Sequence, residues 1–378
     1  LSRSLLFPRD WQEIDGNGDI VHFSPYDGLV HPGPMVADFG LWDAFRSHVP
    51  LYFLLYPNRG RTVLQGLVNC YLEGGWFPKW LNPGYSWGMP GTQAEILFAD
   101  GWAKGVRDFN VEAAYEGLRQ NATEPGEAGQ GRQGLEAYEG LGYVPGDLVD
   151  GSVSRTLEFA YGDYSLGVLA RALGHDQDAD RFLARAGNWR HVFDASTGFV
   201  RGRNRDGSWM ALDPYEWGGP FVEGNAWQYT WSVPHDVPGL ADAMGGRSTL
   251  EARLDSFFRA PSTVRPGSYG RMIHEMKEFE QFGIGQYNHG NQPGHHVPYL
   301  YNHTDAPWKT APLVRAIGDD LYLPTPAGYP GDEDTGSLGS WYVFTALGFY
   351  PIQPGSPTYA LGAPRFPRAE LTFDNDNV

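Results

Sequence analysis

The sequence predicts a mainly α fold: one helical barrel built from helix pairs, with long loops crowding one end. Three observations predict it. Apolar residues recur at three- and four-residue steps over much of the chain, the helical runs pair across short polar turns, and Gly/Pro/aromatic stretches too long for tight connectors lie between the pairs. A chain of 378 residues, 41% hydrophobic and 19% charged, is long enough to enclose a large core. Its 50 Gly and 29 Pro are spread throughout and interleaved with aromatics, which marks structured loops inside one unit instead of a linker.

Helical runs are predicted at about 41–55, 61–71, 92–107 and 111–118. The clearest is 155–173, where Leu157, Ala160, Tyr161, Tyr164, Val168, Leu169, Ala172 and Leu173 share a face. Gly174 stops it, and Phe182, Leu183, Ala186, Trp189 and Phe193 repeat the pattern, so the two form an antiparallel pair. Asp206-Gly207 is a hairpin signal between short strands at 198–203 and 208–212. Further helices are expected at 226–244, 248–258, 297–316 and 335–348. The loop at 74–91, rich in Trp, should line a functional surface. After Pro354 the chain reads as extended (TYALG, AELTF), which divides it into a barrel at 1–355 and the start of a truncated β-rich region at 356–378.

With 28 Lys+Arg against 45 Asp+Glu, a formal charge of -17 repels nucleic-acid backbones and anionic membranes. No apolar run approaches the roughly 20 residues that insertion in a membrane needs. The single cysteine, Cys70, rules out an intrachain disulfide and any CxxC site and reads as a small buried residue. Thirteen Trp, 21 Tyr and 21 Phe supply flat surfaces suited to sugar faces. A start at Leu1 and a stop at Asp-Asn-Val read as a segment of a longer protein.

Three clusters can carry chemistry. In PGDEDTG (330–336) the acidic residues either decorate a helix start or, in an extended loop, set Asp332 and Asp334 on one side to hold a water or help bind a metal. Glu223 either caps the helix from 226 or, among Trp217, Phe221, Trp227, Tyr229 and Trp231, stays protonated toward neutral pH as an acid. One carboxyl that donates a proton and one that activates water or attacks the sugar are what a glycosidase needs. Asn291 and Gln292 offer amide oxygens that favour a hard cation such as Ca²⁺, while the adjacent His295 and His296 point apart and are poorly spaced for zinc. Trp42, Asp43 and Arg46 in GLWDAFR suit a sugar pocket or an ordinary amphipathic helix equally. Asn121 and Asn302 head glycosylation sequons, which recur by chance.

Taken in order, GLWDAFR, GGWFPKW, SRTLEFAYGD, FVRGRN, EGNAWQYTWSVPHD, GNQPGHHVPYLY, PWKT and GDEDTGSLGSWYVFTALGFYP resemble glycoside hydrolase family 92 over nearly the whole chain. The resemblance implies an (α/α)6 barrel, here with a short β extension at the C-terminus and without the N-terminal β-sandwich that such enzymes carry. It implies a calcium-dependent, inverting exo-α-mannosidase that releases terminal mannose from glycans. Glu223 is then the general acid and Asp332 and Asp334 the water-activating base site, with Asp334 the base; Asn291, Gln292 and Asp334 fall at the calcium region. Trp42 and Asp43 belong to the terminal-sugar pocket with His295 and His296 nearby, and inversion sets the two carboxyls roughly 6.5–9.5 Å apart. The sequence departs from the family pattern GTHAD at GTQAE, so Gln93 and Glu95 are expected to alter specificity; Gly162 stands where Asp is usual. Such a substrate implies a secreted, periplasmic or cell-surface location. Two other readings remain open: a mannose-binding or structural fragment without turnover, and a related barrel enzyme acting on another sugar.

Overall fold

The computed structural model describes residues 1–86, 88–127 and 129–372. Trp87 of the 74–91 loop and the end of the predicted AELTF stretch lie outside the described residues; 369–372 form no strand.

The fold is mainly α, and burial sorts its helices into two layers. His48–Leu55, Ala94–Ala103, Ser152–Leu173 and Ser337–Leu347 carry unbroken or nearly unbroken runs of buried residues, so they must be covered on every side. Pro57–Gly74, Val111–Thr123, Asp176–Arg185, Arg247–Arg259 and Thr310–Asp320 show a one-sided pattern and form an outer layer. The inner ring runs from His48–Leu55 to Ala94–Ala103 to Ser152–Leu173, and then to the turns at 234–243 and 297–303. Tyr299 shares a hydrogen bond with Thr345 at 2.7 Å, and Ser337–Leu347 packs back on His48–Leu55, which closes the barrel.

Two predicted helices are broken. The run at 226–244 divides into Ala226–Tyr229, a 3₁₀ turn Pro234–Asp236 and Val237–Ala243; Pro234 and Pro238 each lack the N–H that a continuous helix requires. Pro298 and Pro307 do the same at 297–316, leaving 3₁₀ turns Val297–His303 and Pro307–Lys309 before Thr310–Asp320. The hairpin is also modified. Its turn forms, but the 203–209 ladder is a single bridge, and Phe199–Val200 pairs instead with Phe193–Asp194. Short strands before residue 41, among them a meander of Glu13–Ile14, Ile20–Phe23 and Val30–Pro32, had no counterpart in the sequence reading. Ala360–Leu361 pairs with Phe349–Tyr350, so the predicted extended TYALG segment folds back onto the barrel.

Cys70 is buried, as its isolation suggested. Of the two sequon asparagines, Asn121 is buried, and the Asn302 amide donates to Tyr299, Thr310 and Leu361. No helix among the described residues is long and apolar enough to cross a membrane.

Candidate active site

Residues singled out from the sequence lie immediately before inner helices. Leu41–Ala44 precedes His48–Leu55, Gln93 precedes Ala94–Ala103, and Glu223 comes three residues before Ala226–Tyr229. Asn291 and Gln292 open the turn leading to Val297–His303, and Asp334 precedes Ser337–Leu347. Inner helices of a barrel of helix pairs run in one direction, so these starts share one end of the ring.

Two neighbouring amides join the two halves of the site. Asn291 Nδ2 donates to the Glu223 carbonyl at 2.9 Å, and Gln292 Nε2 donates to Asp334 Oδ2. The amide oxygens of both residues accept no hydrogen bond among the described residues. A close crossing of glycines brings these segments together: a Cβ on Gly331 would lie 2.7 Å from Gly290 Cα, so neither chain could carry a side chain there. Glu223, Asp334 and Thr335 all occupy the left-handed region, with φ of 50°, 47° and 53°. For non-glycine residues this costs about 1–3 kcal/mol each and clusters at functional sites. Tyr269 Oη receives the Glu223 N–H at 2.8 Å, and Tyr229 Oη donates to the Val222 carbonyl, holding the strained turn.

The loop at 332–336 answers the question its sequence left open. Glu333 is the capping residue, accepting the Gly336 and Gly339 N–H groups. Its neighbours Asp332 and Asp334 are thereby left for other work: Asp332 is exposed and pairs with His274 at 3.1 Å, while Asp334 is partly buried on Gln292.

The carboxyls lie near enough to raise one another. Burial pushes the Glu223 carboxyl up to about 8, and the charges of Glu275 and Asp334 add to the rise. Burial lifts Asp334 to about 6, opposed by the Gln292 hydrogen bond and helped by Asp332. Asp43, 2% exposed, is held well above the usual carboxylate range by burial and then by the charges of Asp334 and Glu223. Its Oδ2 is buried without a partner.

Other expected contacts are corrected. Trp42 is 1% exposed and donates its indole N–H to Glu158, so it presents no open ring face. His295 and His296 are core residues bonded to the carbonyls of His289 and Trp231, and burial pushes them down to about 3 and about 4. Gln93 and Glu95 do not line an open pocket. Gln93 binds Pro90 and Glu158, and Glu95 pairs with the fully buried Arg132, which also holds Asp163.

The sequence reading missed the helix His274–Phe282, which brings His274, Glu275 and Glu278 to the site. Ligand atoms of His274, Glu278 and Asp332 lie within 4.8 Å of one another. Glu278 is lifted to about 7 by burial and by Asp332, and Oε2 atoms of Glu275 and Glu278 are buried without partners. Crowded, unsatisfied carboxylate oxygens are the donor set that a hard cation such as Ca²⁺ takes, so the residues present fit one. The only short signal for this helix is Met276 and Phe279, three residues apart.

Comparison with known proteins points one way. A model described as the glycosyl hydrolase family 92 catalytic domain matches residues 1–378. The chain is 44% identical to a family GH92 inverting mannosidase from Bacteroides thetaiotaomicron VPI-5482, with a TM-score of 0.87, covering 97% of this chain and 50% of that one. It is 32% identical to a family GH92 α-mannosidase of Bacteroides thetaiotaomicron, with a TM-score of 0.86, covering 96% and 47%. An uncharacterized secreted glycosidase of Arthroderma benhamiae is 26% identical over 90% of this chain and 44% of its own length. The chain thus spans about half the length of these relatives.

Proposed function

The chain belongs to glycosyl hydrolase family 92, and from that membership we propose that it forms the catalytic barrel of an exo-α-mannosidase that releases terminal α-linked mannose from glycans with inversion. The observation that carries this reading is the Asn291–Gln292 pair, which ties the Glu223 turn to the Asp334 carboxylate beside the unsatisfied Asp43 oxygen.

Glu223 enters the reaction protonated and gives its proton to the glycosidic oxygen as the C1–O bond breaks. Asp334, oriented by Gln292, takes a proton from the water whose oxygen attacks C1 from the opposite face, yielding β-mannose. Asp43 receives a hydroxyl of the terminal sugar. Calcium, when bound, supplies charge that holds two vicinal hydroxyls and favours a flattened ring. Asp332, Asp334, Glu278 and the amide oxygens of Asn291 and Gln292 are the groups able to hold it. A β-sandwich from another part of the protein completes the pocket wall, and the enzyme works outside the cytoplasm, as a secreted, periplasmic or cell-surface protein.

The test is hydrolysis of an aryl α-mannoside by the protein that carries this chain, with Ca²⁺ present. Turnover that disappears in Glu223→Gln supports the proposal, and EGTA should suppress it until Ca²⁺ is returned. Turnover of α-glucosides or uronates alone would mean another sugar, and binding without turnover would mean a lectin-like role.

A further inference from the structure

Glu158 lies on the helix Ser152–Leu173 and not on the 223 or 332–336 loops, yet Trp42, Arg46 and Gln93 all converge on its carboxylate. Its Oε1 accepts the Trp42 indole N–H at 3.2 Å and Arg46 Nη2 at 3.0 Å, and its Oε2 accepts Gln93 Nε2 at 3.2 Å. Arg46 is doubly anchored, since its Nε also donates to the Trp42 carbonyl at 3.1 Å and its guanidinium lies over the Trp42 and Phe45 rings. Gln93 is fixed in turn by Pro90. Gly91, in the left-handed region with φ of 84°, lets this loop close over the Glu158 stem, where a Cβ would come within 2.8 Å.

We propose that Glu158 is a positioning residue for sugar binding, acting on Asp43 through Trp42 and Arg46. Trp42 and Asp43 are consecutive in the single turn Leu41–Ala44, so an indole held at its N–H fixes where Asp43 points. The Glu158 carboxylate also neutralises Arg46, the cation whose charge acts on Asp43. Removing the charge frees Arg46 to draw Asp43 back from the sugar hydroxyl, which weakens ground-state and transition-state binding alike. Gln93, flagged by its departure from the family pattern, therefore acts on sugar binding through Glu158.

This inference rests on the proposed mannosidase reading, and the experiment separates the two. In the protein that carries this chain, Glu158→Gln should raise KM for an aryl α-mannoside about tenfold, as expected for a lost charge-assisted contact, with kcat changed less than about threefold. Trp42→Phe should raise KM too, and the double variant should add less than about twofold to the larger single effect, because both loosen the same Trp42–Glu158–Arg46 cluster. Gln93→Leu, which removes the contacts to Oε2 and to the Pro90 carbonyl but leaves the Glu158 charge in place, should raise KM about threefold and gives the answer should Glu158→Gln fail to fold. A KM unchanged in Glu158→Gln, additive effects in the double variant, or a fall confined to kcat overturns the inference. Absence of turnover in the wild-type protein instead defeats the mannosidase reading.

Discussion

Glu223 and Asp334 carry the same functional group but titrate on different sides of neutrality, near about 8 and about 6. In the proposed mechanism Glu223 must be protonated and Asp334 charged, so the productive pair is populated above about 6 and below about 8. The pH profile of kcat/KM should be bell-shaped with limbs near those values; a flat profile from pH 5 to 9 would contradict the assignment. Glu223→Gln should abolish the alkaline limb and lower kcat by about 10²–10⁴ on a substrate with a poor leaving group. Glu223 and Asp334 stood out as carboxyls in aromatic or glycine-rich loops, and the structure ties those two loops together through Asn291 and Gln292. Gln93, Glu95, His295 and His296 were misplaced because sequence does not distinguish a polar group facing a ligand from one satisfied inside the core. Arg132, for example, lies over 30 residues from both of the acids it holds.

At the scale of elements, the site depends on starts of inner helices and on one backbone crossing. Gly290 and Gly331 approach so closely that Gly331→Ala must part the two segments carrying Gln292 and Asp334. It should cost about 1–3 kcal/mol of stability and lower kcat more than tenfold, measured by thermal denaturation and initial rates; wild-type kcat would show that the crossing does not set the base. Helices whose apolar period ran for several turns were legible. The runs at 226–244 and 297–316 were overextended because their prolines allow the apolar period to persist while removing backbone donors. His274–Phe282 escaped notice because nine residues give the period too few repeats.

For the whole molecule, the barrel gathers its candidate site residues at the starts of inner helices and holds a buried polar network. Arg132 lies between Glu95 and Asp163, all three shielded from solvent. Arg132→Leu should destabilise the fold by about 3–5 kcal/mol, read by chemical denaturation, because the buried Glu95 loses its counterion and Asp163 is left with Arg185 alone. The ring of helix pairs followed from periodicity and loop length, whereas its closure is a long-range contact between residues nearly 300 positions apart, such as Ser47 Oγ donating to the Ser337 carbonyl at 2.9 Å. That closure brings Asp43 near Asp334 and, with the Asn291–Gln292 bridge, gathers the carboxyls to which the proposed reading gives the acid and base roles. The most direct test is proton NMR of the first mannose released by the protein that carries this chain, before mutarotation. The account predicts β-mannose as the initial product, and α-mannose appearing first would contradict it.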